Sequence, residues 1–482
     1  MPTLSTPLVM INSKFIAKPA IKTWAGSRFG LISKVSLALG LLWLSQSAAQ
    51  AAIPIQHWVQ PSGARIYLVE SPAIAMVDVQ IDFDAGSRRD PAAKAGLASI
   101  MSAMLDKGVQ ARPDAPALGE NELSEVWADL GAQFGAGAGP DTLGFSLRSL
   151  TEPDLLAKAL ALAAREIAEP AFPDAVWQRE QQRLLAALKE SDTRPGSVVS
   201  RAYSRAVYGA HPYGYQLTQA TLAAITTADM RAAHGAGVIP CRARISVVGA
   251  VNRAQADAMA TQLLGRLPQQ PCASLPAPPA IPDVAALAAP VEQRIPFDAA
   301  QAQVLVGQKG IARNDPDYFP LLVGNYILGG GGFVSRLTTE VREKRGLTYG
   351  ISSAFSPRRQ AGSFTISLQT RPDQADQALA LVRTVVRDFV QTGPTAAELQ
   401  AAKDNLIGGF ALRLDSNRKL LDNIAGIAWN DLPLDYLDTW TQAIDKVTVP
   451  QIQAAFGRTL QPEKMVTVVL GAGVTQGTPA AK

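Results

Sequence analysis

Two neighbouring segments decide the fold class: Val77-Asp-Val-Gln-Ile-Asp-Phe-Asp84 and Gly96-Leu-Ala-Ser-Ile-Met-Ser-Ala-Met-Leu-Asp-Lys-Gly108. In the first segment apolar and polar residues alternate, which predicts a β-strand. In the second, apolar residues recur at spacings of three and four, which predicts a helix. Strands and helices follow in mixed order along the chain, with short gaps between them. This order predicts an α+β fold in which helices pack on one face of a mainly antiparallel sheet.

The pattern occurs twice. Val247-Val-Gly249 is matched by Val469-Leu-Gly471 at an offset of 222 residues, and other matches share that offset. A period of this length indicates duplicated domains rather than a solenoid. We therefore predict two tandem homologous domains, residues 52–267 and 293–482. Residues 268–292 between them are rich in Pro and Ala, which is typical of a stiff linker.

Composition and charge exclude several classes of protein. The 482 residues are 47% hydrophobic and 18% charged, as in ordinary globular chains. Five of the 45 basic residues precede residue 52, so 40 basic residues face 41 acidic ones in the remainder. A nearly neutral body gives no electrostatic reason to expect nucleic-acid binding.

The first 51 residues have the pattern of a secretory signal peptide. Five cations precede the apolar run 35–44, and Ala49-Gln-Ala51 then offers a cleavage site. The alternative is a membrane anchor, but the run is shorter than the ~20 apolar residues that a spanning helix needs. We expect an exported, periplasmic protein without a membrane span.

The chain has two cysteines, Cys241 and Cys272. Two thiols are too few for a four-cysteine zinc site. In an oxidising compartment a disulfide between them would close a loop of about 30 residues. Two free buried thiols are the open alternative.

Several motifs together resemble the pitrilysin/insulinase (M16) family of zinc metallopeptidases. The segments that carry the resemblance are 83–90, 96–108, His211-Pro-Tyr-Gly214, 328–337 and 341–349. The resemblance implies two α+β halves in each unit of roughly 50 kDa, with two units closing around a chamber. It also implies that strand 77–84 is the counterpart of the family's substrate-binding edge strand.

The sequence departs from the family at the zinc site. Active members bind zinc through a His-x-x-Glu-His motif and a more distant Glu. The corresponding positions here are Ser99, Ser102, Ala103 and Ala187. These side chains supply neither a zinc ligand nor a general base, so we expect no metal in this chain.

The second half keeps the other family motifs. Arg342 and Tyr349 match the Arg and Tyr that the family directs at substrate bound to the facing half. The resemblance implies that the phenol donates to the oxyanion and that the guanidinium holds the substrate main chain. From spacing alone, Arg342 also fits a solvated helix end. The run Gly329–Gly332 fits a flexible helix terminator, and the resemblance implies a mobile loop that contacts incoming peptide; the two are compatible.

The resulting hypothesis is a non-catalytic subunit of a periplasmic heterodimeric zinc peptidase. Its partner would be a homologous M16 subunit that carries the zinc, and Arg342 and Tyr349 would act in trans on unfolded or short peptides. A non-proteolytic scaffold of M16 ancestry is the alternative. A homodimeric enzyme with another metal arrangement is disfavoured, because the chain has only three histidines.

Overall fold

The computed structural model describes residues 53–471, so the predicted signal peptide (1–51) lies outside the described residues. The strands, in chain order, are β1 (Gln56–Val59), β2 (Arg65–Glu70), β3 (Met76–Phe83), β4 (Gly108–Val109), β5 (Leu118–Gly119), β6 (Gln133–Ala138), β7 (Leu143–Leu150), β8 (Arg244–Gly249), β9 (Val291–Ile295), β10 (Ala302–Lys309), β11 (Ile351–Ser356), β12 (Ser363–Thr370) and β13 (Val466–Leu470). The α-helices are α1 (Leu97–Ala103), α2 (Glu120–Asp129), α3 (Pro153–Ala168), α4 (Asp174–Ser191), α5 (Pro195–Tyr208), α6 (Gln219–Ala224), α7 (Thr227–Gly237), α8 (Arg253–Leu264), α9 (Tyr318–Asn325), α10 (Ala375–Thr392), α11 (Ala396–Gly408), α12 (Asn417–Trp429), α13 (Tyr436–Asp445) and α14 (Val449–Thr459).

Two large sheets repeat one topology. The first has the strand order β1-β2-β8-β3-β7-β6, and the second has the order β11-β12-β10-β13-β9. In each sheet one pair is parallel, β2 with β8 and β9 with β13, and the remaining pairs are antiparallel. Omitting β1, the pairings of the first sheet map one to one onto those of the second. The α+β duplication predicted from the sequence is confirmed.

The halves cover each other's sheets through one helix each. Helix α5 of the first half packs against β10 and β13, and α12 of the second half packs against β8 and β3. The first residues of these helices, Pro195 and Asn417, are separated by the 222-residue offset of the repeat. At one crossing the Tyr203 hydroxyl donates a 2.9 Å hydrogen bond to the Phe364 carbonyl oxygen.

The packing of α12 on the first sheet buries the polar side of β3. The alternation of residues is typical of a strand with one wet face, but Asp78 and Asp82 are only 1% and 7% exposed. Asp78 accepts a 2.6 Å bond from Arg148 Nε. Burial raises the pKa of Asp82 to about 6, against the opposing effect of its hydrogen bond from Gln80.

The Pro/Ala-rich segment contacts the first half up to Pro282, after which Val284 packs in a cluster with β13 of the second half. Its one regular element is a short 3₁₀ turn, Cys272–Ser274, and Cys272 forms a disulfide with Cys241. Strand β9 begins at Val291, two residues before the predicted start of the second domain at residue 293. In the described part of the chain, no helix has both the length and the hydropathy that crossing a bilayer requires.

Candidate functional site

Helix α1 carries three of the four positions where the family places its zinc chemistry. Ser99 and Ala103 lie one turn apart and are exposed, whereas Ser102 is buried. The Ser102 hydroxyl donates a 2.8 Å hydrogen bond to the Ser99 carbonyl oxygen, so it is satisfied within its own helix. The fourth position, Ala187, is exposed on α4.

The helix persists without ligands because other groups hold it. Asp90 accepts hydrogen bonds from the backbone N–H groups of Gly96 and Ala98 at 2.9 and 3.0 Å. These bonds satisfy donors that the first turn leaves unpaired. The opposite side of α1 is buried in the core of the first half through Ile100 and Met101.

These residues do not fit a zinc ion. Two serine hydroxyls and two alanine methyl groups stand where active members have two imidazoles and two carboxylates. Zinc is bound in proteins by nitrogen, sulfur or carboxylate ligands, and none of these four side chains supplies one. No group of three or more His, Cys, Asp or Glu side chains within 53–471 is placed to hold a metal. The ring of each histidine instead bonds to a backbone carbonyl: His57 to Ile66, His211 to Pro282 and His234 to Ile167.

Arg342 lies at the end of a π-helical segment, Thr338–Glu343. Such segments are rare and frequently occur at functional sites. The Arg342 guanidinium carbon lies 4.5 Å from the centre of the Phe333 ring, a cation–π geometry. Among the described residues it has no hydrogen-bonding or ionic partner, whereas the neighbouring Lys344 and Arg345 both pair with Glu340. The Arg342 guanidinium is therefore oriented by an aromatic ring while its donors stay free.

The glycine run is tightly packed at its start. A Cβ at Gly329 would lie 2.5 Å from Ser353 Oγ, and one at Gly331 would lie 2.7 Å from the Tyr326 carbonyl oxygen. Gly332 differs, because it has a φ of +62° and open space around it. Only this last glycine has the freedom of a flexible loop, and it leads directly into Phe333. Peptide contact by Gly329–Gly332 stays a prediction.

Tyr349 precedes the edge strand β11 and is 85% exposed. Within the described chain its hydroxyl has no hydrogen-bond partner. The ring borders an open depression of about 390 Å³ lined by strand residues that include Gln303, Ser352 and Gln369. Phe333 and Val334 are also largely exposed, at 62% and 71%. The second half therefore presents a phenol and two apolar side chains to solvent.

The assignment of strand 77–84 as the substrate-edge strand is wrong. Strand β3 lies inside the sheet, and its backbone pairs with β8 on one side and β7 on the other. It has no free N–H and C=O groups to receive another strand. The edge strand of this sheet next to β7 is β6, whose Gln133–Ala138 backbone pairs on one side only.

Two features of the site were missed at the level of sequence. The first is β6, for which the alternating Phe134, Ala136 and Ala138 were an available signal. The second is Phe333, whose contact with Arg342 depends on the two π-helical segments Tyr326–Gly330 and Thr338–Glu343. No sequence signal for that contact is evident, since π-helical geometry has no residue signature.

Two protein-family models match this chain in succession. Residues 65–221 match the model described as insulinase (peptidase family M16), and residues 224–406 match the peptidase M16 inactive domain. Among curated proteins, an uncharacterized zinc protease of Mycobacterium leprae is 24% identical, over 82% of this chain and 86% of that protein. The uncharacterized zinc protease YmxG of Bacillus subtilis is also 24% identical, over 84% and 94% of the two chains.

A solved structure gives the stronger match. The peptidase M16 inactive domain from Pseudomonas fluorescens is 35% identical and has a TM-score of 0.81, covering 88% of this chain and 99% of that one. The periplasmic protease PqqL of Escherichia coli shares the fold at 19% identity and a TM-score of 0.72, over 95% and 49% of the two chains. The chain therefore belongs to peptidase family M16, and its residues 224–406 match the domain of that family described as inactive.

Proposed function

We propose that this chain is the non-catalytic subunit of a periplasmic, heterodimeric M16 zinc peptidase. The partner would be a homologous subunit with an intact His-x-x-Glu-His motif, and zinc is expected there. The observation that carries the proposal is a contrast within this chain. Ser99, Ser102, Ala103 and Ala187 offer no metal ligand, whereas Arg342 and Tyr349 offer free donors.

Arg342 would bind the substrate main chain. A guanidinium held from below by Phe333 keeps its N–H fork available for carbonyl or carboxylate oxygens. Because the contact with the Phe333 ring leaves the N–H donors of Arg342 unused, the guanidinium can be held in place and bind substrate oxygens at the same time. Unfolded or short peptides are the expected substrates, since their backbone oxygens are accessible.

Tyr349 would donate its hydroxyl hydrogen to the carbonyl oxygen under attack in the partner's site. A donor directed at developing negative charge lowers the barrier more than it stabilises the bound substrate. The 85% exposure of Tyr349 suits this role, because the hydroxyl must reach a group on another subunit.

The test is co-purification of the tagged chain from periplasm, followed by metal analysis and a peptide-cleavage assay. The chain alone should hold no stoichiometric zinc and cleave no peptide, whereas the complex should contain zinc and cleave peptides. Tyr349→Phe should lower kcat of the complex by roughly one to three orders of magnitude. Tyr215→Phe is the matched control, since that half-buried tyrosine lies in the other half of the chain.

Two outcomes would reject the proposal. Full activity in the Tyr349→Phe complex would remove the role in trans. Recovery of a stable complex that never cleaves peptides would support the scaffold alternative instead.

A further inference from the structure

A cavity of about 790 Å³ lies between α1, α7 and the roof segment, residues 276–282. Its volume is in the range of small-molecule sites, about 300–1,000 Å³. The apolar side chains of its floor are Leu97, Ala98 and Met101 on α1, and Ala232, Ala233 and Ala236 on α7. The cavity uses a different set of α1 residues from the former zinc positions.

The roof segment is fixed by hydrogen bonds to its carbonyl groups. Arg242 donates to the Pro276 carbonyl oxygen, and Arg89 donates to the Pro279 carbonyl oxygen. The sequence Pro276-Ala-Pro-Pro-Ala-Ile-Pro282 is stiff and has few backbone N–H groups. The roof therefore presents mainly apolar rings and few donors.

Both ends of the roof are anchored as well. His211 Nδ1 accepts from the Tyr213 N–H, so its Nε2 carries the proton and donates to the Pro282 carbonyl oxygen at 3.0 Å. Before the roof, the Cys241–Cys272 disulfide ties the segment to the first half. The cavity is therefore preformed, and a ligand would not need to order the roof on binding.

The charged groups around the cavity already have partners within the protein. Asp84 accepts from Arg88 at 2.8 Å and from Arg89 at 2.5 Å, and Lys94 pairs with Asp229. Asp90 is occupied by the backbone of α1, and Arg242 by the roof. Each of these side chains is thus engaged in an ion pair or a hydrogen bond within the protein, and none is left unpaired toward the cavity.

We propose that this cavity binds the alkyl chain of an uncharged single-chain amphiphile. Burial of methylene groups against alanine, methionine and proline surfaces supplies the affinity. The partly exposed Lys94–Asp229 pair offers hydrogen bonds to a hydroxyl head group. A peptide fits less well, because its N–H and C=O groups would find few partners beneath the prolines.

The test uses the purified chain and the neutral fluorescent probe N-phenyl-1-naphthylamine. One probe should bind per chain, and 1-octanol, 1-decanol and 1-dodecanol should displace it. Each added pair of methylenes should strengthen displacement by about tenfold, since burying one CH₂ changes affinity about fourfold at best. Hexane-1,6-diol should not displace the probe, because its second hydroxyl would be buried.

The location is tested by filling the cavity. Ala236→Phe and, separately, Ala232→Phe should each weaken probe binding at least tenfold, because both alanines line the cavity and are exposed on α7. Ala228→Phe is the matched control, an exposed alanine of the same helix outside the lining. Thermal unfolding of all three should stay close to that of the parent chain.

Several results would overturn the inference. The inference fails if the probe does not bind saturably, or if the three alcohols displace it equally well. It also fails if the Ala236→Phe and Ala228→Phe chains bind the probe equally, or if the chain takes up the probe only when the probe is supplied in phospholipid vesicles. None of these outcomes depends on the peptidase partner.

Discussion

Replacing Glu166 with glutamine should make the stability of this chain less dependent on pH. Glu166 lies on α3, is 2% exposed, and accepts a 2.5 Å hydrogen bond from Trp127 Nε1. Burial raises the pKa of Glu166 to about 7, the Trp127 bond opposes this, and the charge of Asp106 adds to it. The carboxyl therefore stays protonated in the folded chain at pH values where it is ionised in the unfolded chain.

The magnitude follows from proton linkage. The unfolded glutamate loses its proton near pH 4.5 and the folded one near pH 7. Between these values only the unfolded chain releases a proton, so the free energy of unfolding falls by about 1.4 kcal/mol per pH unit. The loss is absent below pH 4.5 and complete above pH 7, where it amounts to about 3 kcal/mol.

The Glu166→Gln chain lacks this titration but keeps an oxygen that can accept from Trp127. Its stability relative to the parent should rise by about 3 kcal/mol from pH 4 to pH 8. For a chain of this length that equals a relative increase in Tm of roughly 3–4 °C. A pH-independent offset is expected from the new amide donors, so the slope is the informative quantity.

The assay is thermal unfolding of both chains at several pH values, followed by calorimetry. Glu169→Gln is a contrast on neighbouring sequence, because buried Glu169 pairs with Arg165 and Arg266. Breaking those pairs should destabilise the chain by about 3–5 kcal/mol at neutral pH. Parallel pH curves for the parent and Glu166→Gln chains would refute the reasoning.

Three further predictions concern packing, the disulfide and the site. Gly307→Ala should lower the free energy of unfolding by about 1–3 kcal/mol, because a Cβ there would collide with a backbone carbonyl of β12. Gly426→Ala is the control, because the space around Gly426 is open. Equal Tm values for the two variants would contradict the prediction. Replacing both Cys241 and Cys272 with serine should lower the free energy of unfolding by about 3–4 kcal/mol, because the disulfide closes a loop of 31 residues in the unfolded chain. Urea unfolding of this variant that matches the parent would contradict the prediction. Phe333→Ala should leave stability unchanged and raise KM of the proposed complex about two- to fivefold, the size of an exposed cation–π contact; an unchanged KM would argue against orientation of the guanidinium by the ring.

The sequence predicted the strands and helices well but not what covers them. Alternation at 77–84 correctly predicted a strand, and the apolar spacing within 96–108 correctly predicted helix α1. Such alternation is typical of a strand with one solvent-exposed face, but the structure buries both Asp78 and Asp82. Helix α12 covers that face from more than 300 residues away, and local periodicity carries no information about such contacts.

The candidate site shows the same division. Motif spacing assigned Ser99, Ser102, Ala103 and Ala187 to the positions of the family's zinc site, and their lack of ligand groups is a matter of residue identity. The strand order is a long-range property, and this is why β3 was taken for an edge strand although β6 occupies the edge. The contact of Phe333 with Arg342 was beyond prediction, since it depends on how the chain turns after Gly332.

Three of the four positions aligned with the family's zinc site share one property with Tyr349: their side chains are exposed and contribute little to the fold. Ser99, Ala103 and Ala187 are exposed, so ligands could be lost there at little cost in stability. Tyr349 also contributes little to stability, since its ring is 85% exposed and does not pack in the core. The Tyr349 ring is therefore available for the contact with a partner subunit that is proposed above. Tyr349→Ala should therefore change the free energy of unfolding by less than about 0.5 kcal/mol. A loss of several kcal/mol would mean that the ring serves the fold after all.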